Sequence, residues 1–420
     1  MTLAIILFVL TYIFIFVFSN HKHIVALISA ILFIIFGILP LNKVMSSIDF
    51  NVILMILGIM GTVNLFIDSK MPNKISDAVI KASPNIKWMT IFLALFSAIV
   101  SAFVDNVATV LMIAPVALSI AKKLHTSPVP ILISISIFSN LEGAATLVGD
   151  TTSILLAGEA HMNFLDFFFY EGHIGLFFII QIGTILSLLV LFLKIKNSKS
   201  ISSSDSTIVN DYFPTCLLVG TILALIIASF IEEKGPLTNG IICVSFYIIG
   251  LIRDLIKDKD IKILKNNLMI IDYQTLLLLA SLFVIIGGIN EAGVINKISE
   301  FFTSVSSNVF VLYTLLVFVS VIISAFIDNI PYVATMLSVV SLMATNLGIN
   351  PTVLYYGLII GATLGGNITP VGASANIASI GILNKNGYNV SLKEYISFSI
   401  PITIIAVLSG YVIVLLEYLV

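Results

Sequence analysis

The sequence predicts an all-α polytopic membrane protein built as an inverted repeat, each half with five transmembrane helices and one re-entrant hairpin, about 10 spans and 2 hairpins in all. Three observations carry that expectation. First, 59% of the 420 residues are hydrophobic and only 10% are charged, where a soluble domain has roughly a quarter of its residues charged. Second, apolar runs near the ~20 residues that a helix needs to cross about 30 Å of hydrocarbon recur along the whole chain. Third, "SAFVDN" at 101–106 returns as "SAFIDN" at 324–329. The same offset of 223 residues aligns "IDF" at 48 with "IDY" at 271, "NKIS" at 73 with "NKIS" at 296, Pro128 with Pro351, and "VG" at 148 with "VG" at 371. Few of these matches are Ile or Leu, so shared composition does not account for them, and the chain reads as a duplication.

The first repeat is expected over 1–193. Its spans lie near 2–19, 24–41, 48–67 and 165–193, with a hairpin at 88–123 and an interrupted helix at 129–160. The opening run "LAIILFVLTYIFIFVF" has no basic n-region and no small-residue cleavage site, so it reads as a retained span. The Ser-rich stretch 194–211 reads as a linker. The second repeat, 212–420, repeats the pattern with spans near 212–231, 236–252, 271–290 and 394–418, a hairpin at 308–346 and an interrupted helix at 352–383. Each hairpin arm has about 16 residues, or roughly 24 Å, which is short of a crossing. Non-helical backbone at membrane depth must be buried in protein or line a cavity, and the two hairpin tips are such places.

Basic residues give the orientation. With the linker in the cytoplasm, only Lys43, Lys234 and Lys297 of the 20 Lys and Arg fall outside, so both termini are expected outside a plasma or inner membrane. Five crossings per half is an odd number, so the second half starts on the opposite side from the first. Inverted repeats with hairpins and interrupted helices are the architecture of alternating-access transporters.

Other classes are set aside. The net charge is −2 and the basic residues are scattered through short loops, so no nucleic-acid surface is expected. Cys216 and Cys243 fall in apolar spans without metal or redox spacing and are expected to be ordinary buried residues. His125, His161 and His173 are expected at the surface, and Trp88 and the Phe-rich segment 164–169 as interface anchors. The expected partners are the bilayer and a small ion or solute, with no cofactor beyond Na⁺ or H⁺ as coupling ion.

The candidate chemistry sits where the helical pattern breaks. Each half has a hairpin tip and a glycine-rich break, "SNLEGAATLVGDTTS" at 139–153 and "ATLGGNITPVGASAN" at 362–376. Glycine permits unwound backbone, and the half-helices beside it end in free N–H and C=O groups. Free carbonyls with Asp, Asn, Ser and Thr oxygens suit small cations. The expected first site comprises Asp105, Asn106, Asn140, Glu142, Gly143, Thr146, Gly149, Asp150, Thr151 and Thr152. The second comprises Asp328, Asn329, Thr363, Gly366, Asn367, Thr369, Gly372, Ser374 and Asn376. Asp105, Asp150 and Asp328 are the candidate ligands for Na⁺ or a similar cation. Glu142 and Asp150 break the symmetry, because they align with Gly365 and Ala373. Intramembrane carboxylates cost about 2.5–3.5 kcal/mol each on insertion scales, so four of them imply cations or protons. No Lys or Arg is expected at this depth to neutralise them.

The tips and breaks resemble those of the ion transporter superfamily, in particular its branch of arsenite efflux, NhaD-type antiporter and P-protein-like permeases with a citrate transporter-like domain. "GDTTS" at 149–153 is similar to the NhaD-type pattern, and "GASAN" at 372–376 to the arsenite and P-protein type. The sodium-coupled dicarboxylate carriers of the clan have Ser-Asn-Thr at their tips, where this chain has Asp105, Asn106, Val107 and Asp328, Asn329, Ile330. The resemblance implies an elevator-type carrier, often a homodimer. The sequence is therefore read as a Na⁺- or H⁺-coupled secondary transporter, with cation/proton antiport as the leading activity. Its rival is ion-coupled transport of a small anion or oxyanion such as arsenite, citrate or a dicarboxylate. An intramembrane aspartyl protease would carry Gly-x-Gly-Asp, and the nearest stretch, Leu147 to Asp150, lacks the first glycine, so no enzyme is expected.

Overall fold

The computed structural model describes residues 1–18, 21–196, 200, 207–209, 211–231, 235–258 and 267–419. Most of the 194–211 linker lies outside these residues, as do Lys199, Lys234, Lys259, Lys262 and Lys265 of the charge tally. The first half runs α1 (Thr2–Val17), α2 (Lys22–Ile35), α3 (Leu41–Ser47), α4 (Phe50–Asp68), α5 (Met71–Lys81), α6 (Ile86–Ser101), α7 (Asn106–Lys123), α8 (Val129–Gly143), α9 (Thr151–Glu159) and α10 (Leu176–Lys194). The second runs α11 (Phe213–Ser229), α12 (Thr238–Asp258), α13 (Tyr273–Glu291), α14 (Val294–Val305), α15 (Val309–Ser324), α16 (Asn329–Leu347), α17 (Thr352–Ile359), α18 (Ser374–Lys385) and α19 (Leu392–Tyr418).

The repeated residues mark helix starts. Asp49 caps α4 by accepting from Val52 N at 3.1 Å, and Asp272 caps α13 by accepting from Thr275 N at 3.1 Å. Asn85 and Asn308 do the same for α6 and α15, and Pro128 and Pro351 precede α8 and α17. The "NKIS" copies belong to the short amphipathic helices α5 and α14, where they turn Ser76 and Ser299 inward.

The helices form two groups. In one, α4 packs on α12 and α2 packs on α13, with α1 and α11 outside them. The α4–α12 crossing is close because Gly58 faces the Cys243 backbone, where a Cβ would lie 2.2 Å from the carbonyl carbon. In the other group the consecutive helices α6 and α7 pack on α8, and α15 and α16, the arms expected to form the second hairpin, pack on α17 and the turns that follow it. The late half-helices cross over, α18 onto α7 and α8, and α9 onto α16.

Several elements differ from the sequence reading. Helices α3, α5 and α14 were not expected: α3 has only 7 residues, and the amphipathic period of α5 and α14 lacks a long apolar run. The span expected over 165–193 begins only at Leu176. Before it, Phe169–Tyr170 pairs with His173–Ile174 around Glu171 (φ 52°) and Gly172 (φ 86°), a tight hairpin whose two corner residues are both left-handed. Phe164 and Phe167 are buried, so they tie this loop to the core and are not an interface belt. The expected span at 24–41 is the 14-residue α2, stopped by a left-handed turn at Gly37 (φ 67°). Cys216 is exposed on the outer helix α11, and only Cys243 is buried.

Among the described residues, 6 helices are long and apolar enough to cross a membrane alone: α4, α10, α12, α13, α16 and α19. Helix α16, one arm of the second hairpin, has 19 residues, so arm length does not by itself make that hairpin re-entrant. The chain is predominantly helical, and its long apolar helices are those of an integral membrane protein.

Candidate functional site

The two hairpin tips close by the same local chemistry. Asp105 Oδ1 accepts from Val107 N and Ala108 N at 3.0 Å each and caps α7. Asp328 Oδ1 accepts from Ile330 N at 3.3 Å and caps α16. The exposed N–H groups at a helix start favour an anionic oxygen, so the "DN" of each tip has a structural task as well as a charge. Behind each tip the break is pressed against it. Thr146 donates its hydroxyl to Ala102 O, and Thr369 donates to Ala325 O. A Cβ at Gly149 would lie 2.7 Å from Ser101 O and Gly143 O, and one at Gly372 would lie 2.5 Å from Ser324 O and Gly366 O. Only glycine allows that approach. Each junction thus gathers carbonyl, hydroxyl and carboxylate oxygens, a donor set that fits a small hard cation.

The residues expected at two separate sites are joined in one buried polar belt. Asn106 Nδ2 donates to Asn140 Oδ1 at 3.0 Å, and Asn140 Nδ2 donates to Thr363 O at 2.7 Å and Asn367 Oδ1 at 3.1 Å. Asn367 Nδ2 returns a bond to Ile137 O at 3.1 Å. Thr363 lies in a π-helical turn, Ile360–Leu364, which opens the regular ladder at this crossing. Asp150 caps α9 through Thr151 N at 2.8 Å, while its Oδ2 accepts from Thr152 Oγ1 at 2.8 Å and Asn329 Nδ2 at 3.4 Å. Thr152 and Thr363 hydroxyls meet at 3.0 Å. Asn376 Nδ2 donates to Gly366 O at 3.3 Å, and Ser374 Oγ donates to Asp328 Oδ2 at 3.3 Å.

A cavity of about 450 Å³ reaches this belt, and Asp105, Asn106, Asp150, Thr151, Asn329 and Ser374 line it. Lys22, His23, Asn64 and Asp272 also line it, and the sequence reading had not placed them there. Asp272 carried a signal, since it belongs to a repeated motif. Lys22 carried none, because it reads as a loop residue before an apolar run. A second cavity, about 420 Å³, is lined by Asp49, Glu159, His161, Gly287 and Ala334 among others, and by none of the residues expected at the site.

Two expectations are corrected. Lys22 Nζ is bonded to Asp328 Oδ2, so a basic side chain does neutralise one of the four acids. The start of α2 reaches the tip from the neighbouring helix group, which no count of residues along one apolar run reveals. Glu142 is not in the cavity: its Oε2 accepts from Gln181 Nε2 of α10 at 2.6 Å, and its buried Oε1 faces the Thr184 side without a hydrogen bond of ordinary geometry. On helix α8 the side chain at 142 points away from the one at 140, about 200° around the axis at 3.6 residues per turn. Among the described residues no group of three or more His, Cys, Asp or Glu is placed to hold a metal ion.

The chain can now be compared with known proteins. It is 29% identical over 434 residues to a "46 kDa membrane protein" of Mycobacterium leprae, covering 100% of this chain and 99% of the relative. An uncharacterized transporter of Mycobacterium tuberculosis is 30% identical over 384 residues, with 89% and 88% covered. The human P protein is 26% identical over 465 residues, covering 90% of this chain and 55% of its own length. The solved Alcanivorax borkumensis YdaH transporter superposes with a TM-score of 0.59 at 14% identity, covering 89% of this chain and 86% of that one, a likeness of fold. These relatives fit the ion transporter superfamily, and the Mycobacterium tuberculosis and Alcanivorax borkumensis proteins are named as transporters. The sequence model of the citrate transporter family, CitMHS, matches residues 5–361, and the chain belongs to that family.

Proposed function

We propose that the protein is a secondary active transporter that exchanges a small cation, Na⁺ or one like it, for protons by an alternating-access, elevator-type movement. The observation that carries this reading is the cavity in which Asp105 and Asp150 face a buried belt of Asn and Thr oxygens without a Lys or Arg of their own among its lining residues, Lys22 being bonded to Asp328. Two carboxylates sharing such a site can hold either a cation or a proton, and that competition is the simplest basis for exchange. The tip-and-break framework at both junctions, on two hairpins packed against crossing half-helices, supports an inverted pair of re-entrant hairpins as the moving part. The distribution of Lys and Arg supports a cytoplasmic linker and external termini. That orientation would open the cavity beside Lys22 and Asp272 to the cytoplasm.

A second reading is ion-coupled transport of a small carboxylate or oxyanion. The family's description as citrate transporters favours it, as do Lys22, His23 and the α9 and α18 N-termini at the same cavity. Purified protein in vesicles loaded with a pH-sensitive dye separates the two. Antiport predicts a proton movement on addition of Na⁺ or Li⁺ that Asp150→Asn abolishes. No cation-driven response, together with uptake of radiolabelled citrate or arsenite, would replace the first reading with the second.

A further inference from the structure

The two junctions share one oxygen framework but not one charge. Asp105 and Asp328, Thr146 and Thr369, and Gly149 and Gly372 correspond at the common offset and make the same contacts with their tips. At the first junction Asp150 adds a second carboxylate, which hydrogen-bonds Asn329. At the second, Ala373 stands in that place and Asp328 Oδ2 instead meets Lys22 Nζ and the Ser374 hydroxyl. The pair is largely enclosed, with side-chain exposures of 23% for Lys22 and 13% for Asp328. Among the described residues lining the cavity, Lys22 is the only Lys or Arg.

Lys22 does not come from the hairpin it touches. It opens α2, which packs on α1 and α13, so its ammonium is delivered from the other helix group. The same corner holds the hairpin a second time, where Tyr12 on α1 donates to Pro331 O at 2.6 Å and lies 2.6 Å from Thr335 Oγ1 on α16. A Lys ammonium is a compact charge with three donors, close in role to a small cation among carboxylate and hydroxyl oxygens.

We propose that the Lys22 ammonium occupies the cation position of the second junction as a tethered counter-ion, leaving the first junction as the single exchangeable cation site. The inference rests on the cation reading above and deepens it by fixing the number of ions. Removing Lys22 then uncovers a second site at Asp328 and Ser374. Because the tether joins two helix groups, it also holds the second hairpin in the conformation seen here.

The test counts Na⁺ bound per chain by ²²Na⁺ equilibrium binding to purified, monodisperse full-length protein. The wild type is expected to bind one, Lys22→Arg one, and Lys22→Gln two, the second being lost again in Lys22→Gln/Asp328→Asn. Asp328→Asn alone is expected to keep one bound Na⁺ per chain, and this arm does not depend on the Lys22 variant folding. Two results overturn the proposal: Lys22→Gln that folds and still binds as many ions as the wild type, or Asp328→Asn that abolishes wild-type binding. If the wild type binds no Na⁺ and Lys22→Gln binds one, the tethered counter-ion stands and the exchange reading falls; if neither binds, both fall.

Discussion

Gly372→Ala tests whether the contact between tip and break builds the site. A Cβ at this position would lie 2.5 Å from the carbonyl oxygens of Gly366 and Ser324 and 2.9 Å from that of Ala325, where ordinary contact begins at 3.4 Å. The two segments must therefore part by about 0.9 Å. All three neighbours are backbone atoms, so no side-chain rotation relieves the clash, and the hydroxyl bond from Thr369 to Ala325 O is stretched in the same movement. Overpacking costs ~1–3 kcal/mol, and a purely backbone clash belongs at the upper end. At about 2 °C per kcal/mol for a chain of this size, the melting midpoint of the purified protein should fall by roughly 6 °C. Gly149→Ala meets Gly143 O and Ser101 O at 2.7 Å and should behave alike. Gly381→Ala on α18 meets nothing within 4 Å and is the control, expected to be neutral or stabilising by up to ~1 kcal/mol. The reasoning fails if Gly372→Ala melts with the wild type.

Three further outcomes are expected. Glu142→Gln keeps its contact with Gln181 and should leave Na⁺-induced thermal stabilisation unchanged, because Glu142 lies outside the cavity; loss of that stabilisation would return it to the site. Asn140→Leu strips partners from Asn106 Nδ2 and Thr363 O, while Asn367 Oδ1 keeps its bond from Asn376 Nδ2 at 3.3 Å; a buried orphan costs ~1–3 kcal/mol, so the melting midpoint should fall further than that of Thr126→Val at the α7 end. At the membrane rim, burial pushes the Asp211 carboxyl up, but bonds from Arg253, Phe213 N and Lys257 outweigh it and hold it at about 2. A depressed folded-state value means the contribution is complete above the ordinary carboxylate range and is lost as pH falls toward 2. Solvent screening keeps it to ~1 kcal/mol or less, and the difference in melting midpoint between wild type and Asp211→Asn should vanish over that window.

Much of the fold was legible because the duplication repeats capping residues. Asp49 and Asp272, Asn85 and Asn308, and Asp105 and Asp328 each begin a helix, so a fixed offset in the sequence marks helix starts as well as kinship. The belt residues were legible for a related reason, since Asn and Thr clustered in an apolar stretch need partners and found one another. Contacts between distant segments were not legible. Lys22 meets Asp328 across 306 residues, and Gln181 takes Glu142 out of the cavity through a helix whose apolar run announces only a span. Helices α5 and α14 were not legible either, because their apolar face is a stripe along one side and not a continuous run.

The offset that relates the tips also relates the two cavities. It carries Met60 onto Phe283, Val63 onto Ile286, Asn64 onto Gly287, Leu111 onto Ala334 and Asp272 onto Asp49, each a lining residue of the first cavity falling on one of the second. Only the first cavity touches Asp105 and Asp150. The two halves thus differ in conformation more than in local framework, and exchanging their conformations would close one cavity and deepen the other. When two states are built from near-equivalent halves, their balance falls to the contacts that have no counterpart. Among the described residues these include the Lys22–Asp328 pair, the Tyr12 bonds to Pro331 and Thr335, and Asp150 where the other half has Ala373. Two of the three bind the α1–α2 corner to the second hairpin, and the third is a candidate ion ligand. Under the proposed exchange, a cation held at Asp150 would act on the same hairpin that Lys22 restrains, through the Asn329 side chain next to Asp328, and so would alter the restraint without moving any residue of α2.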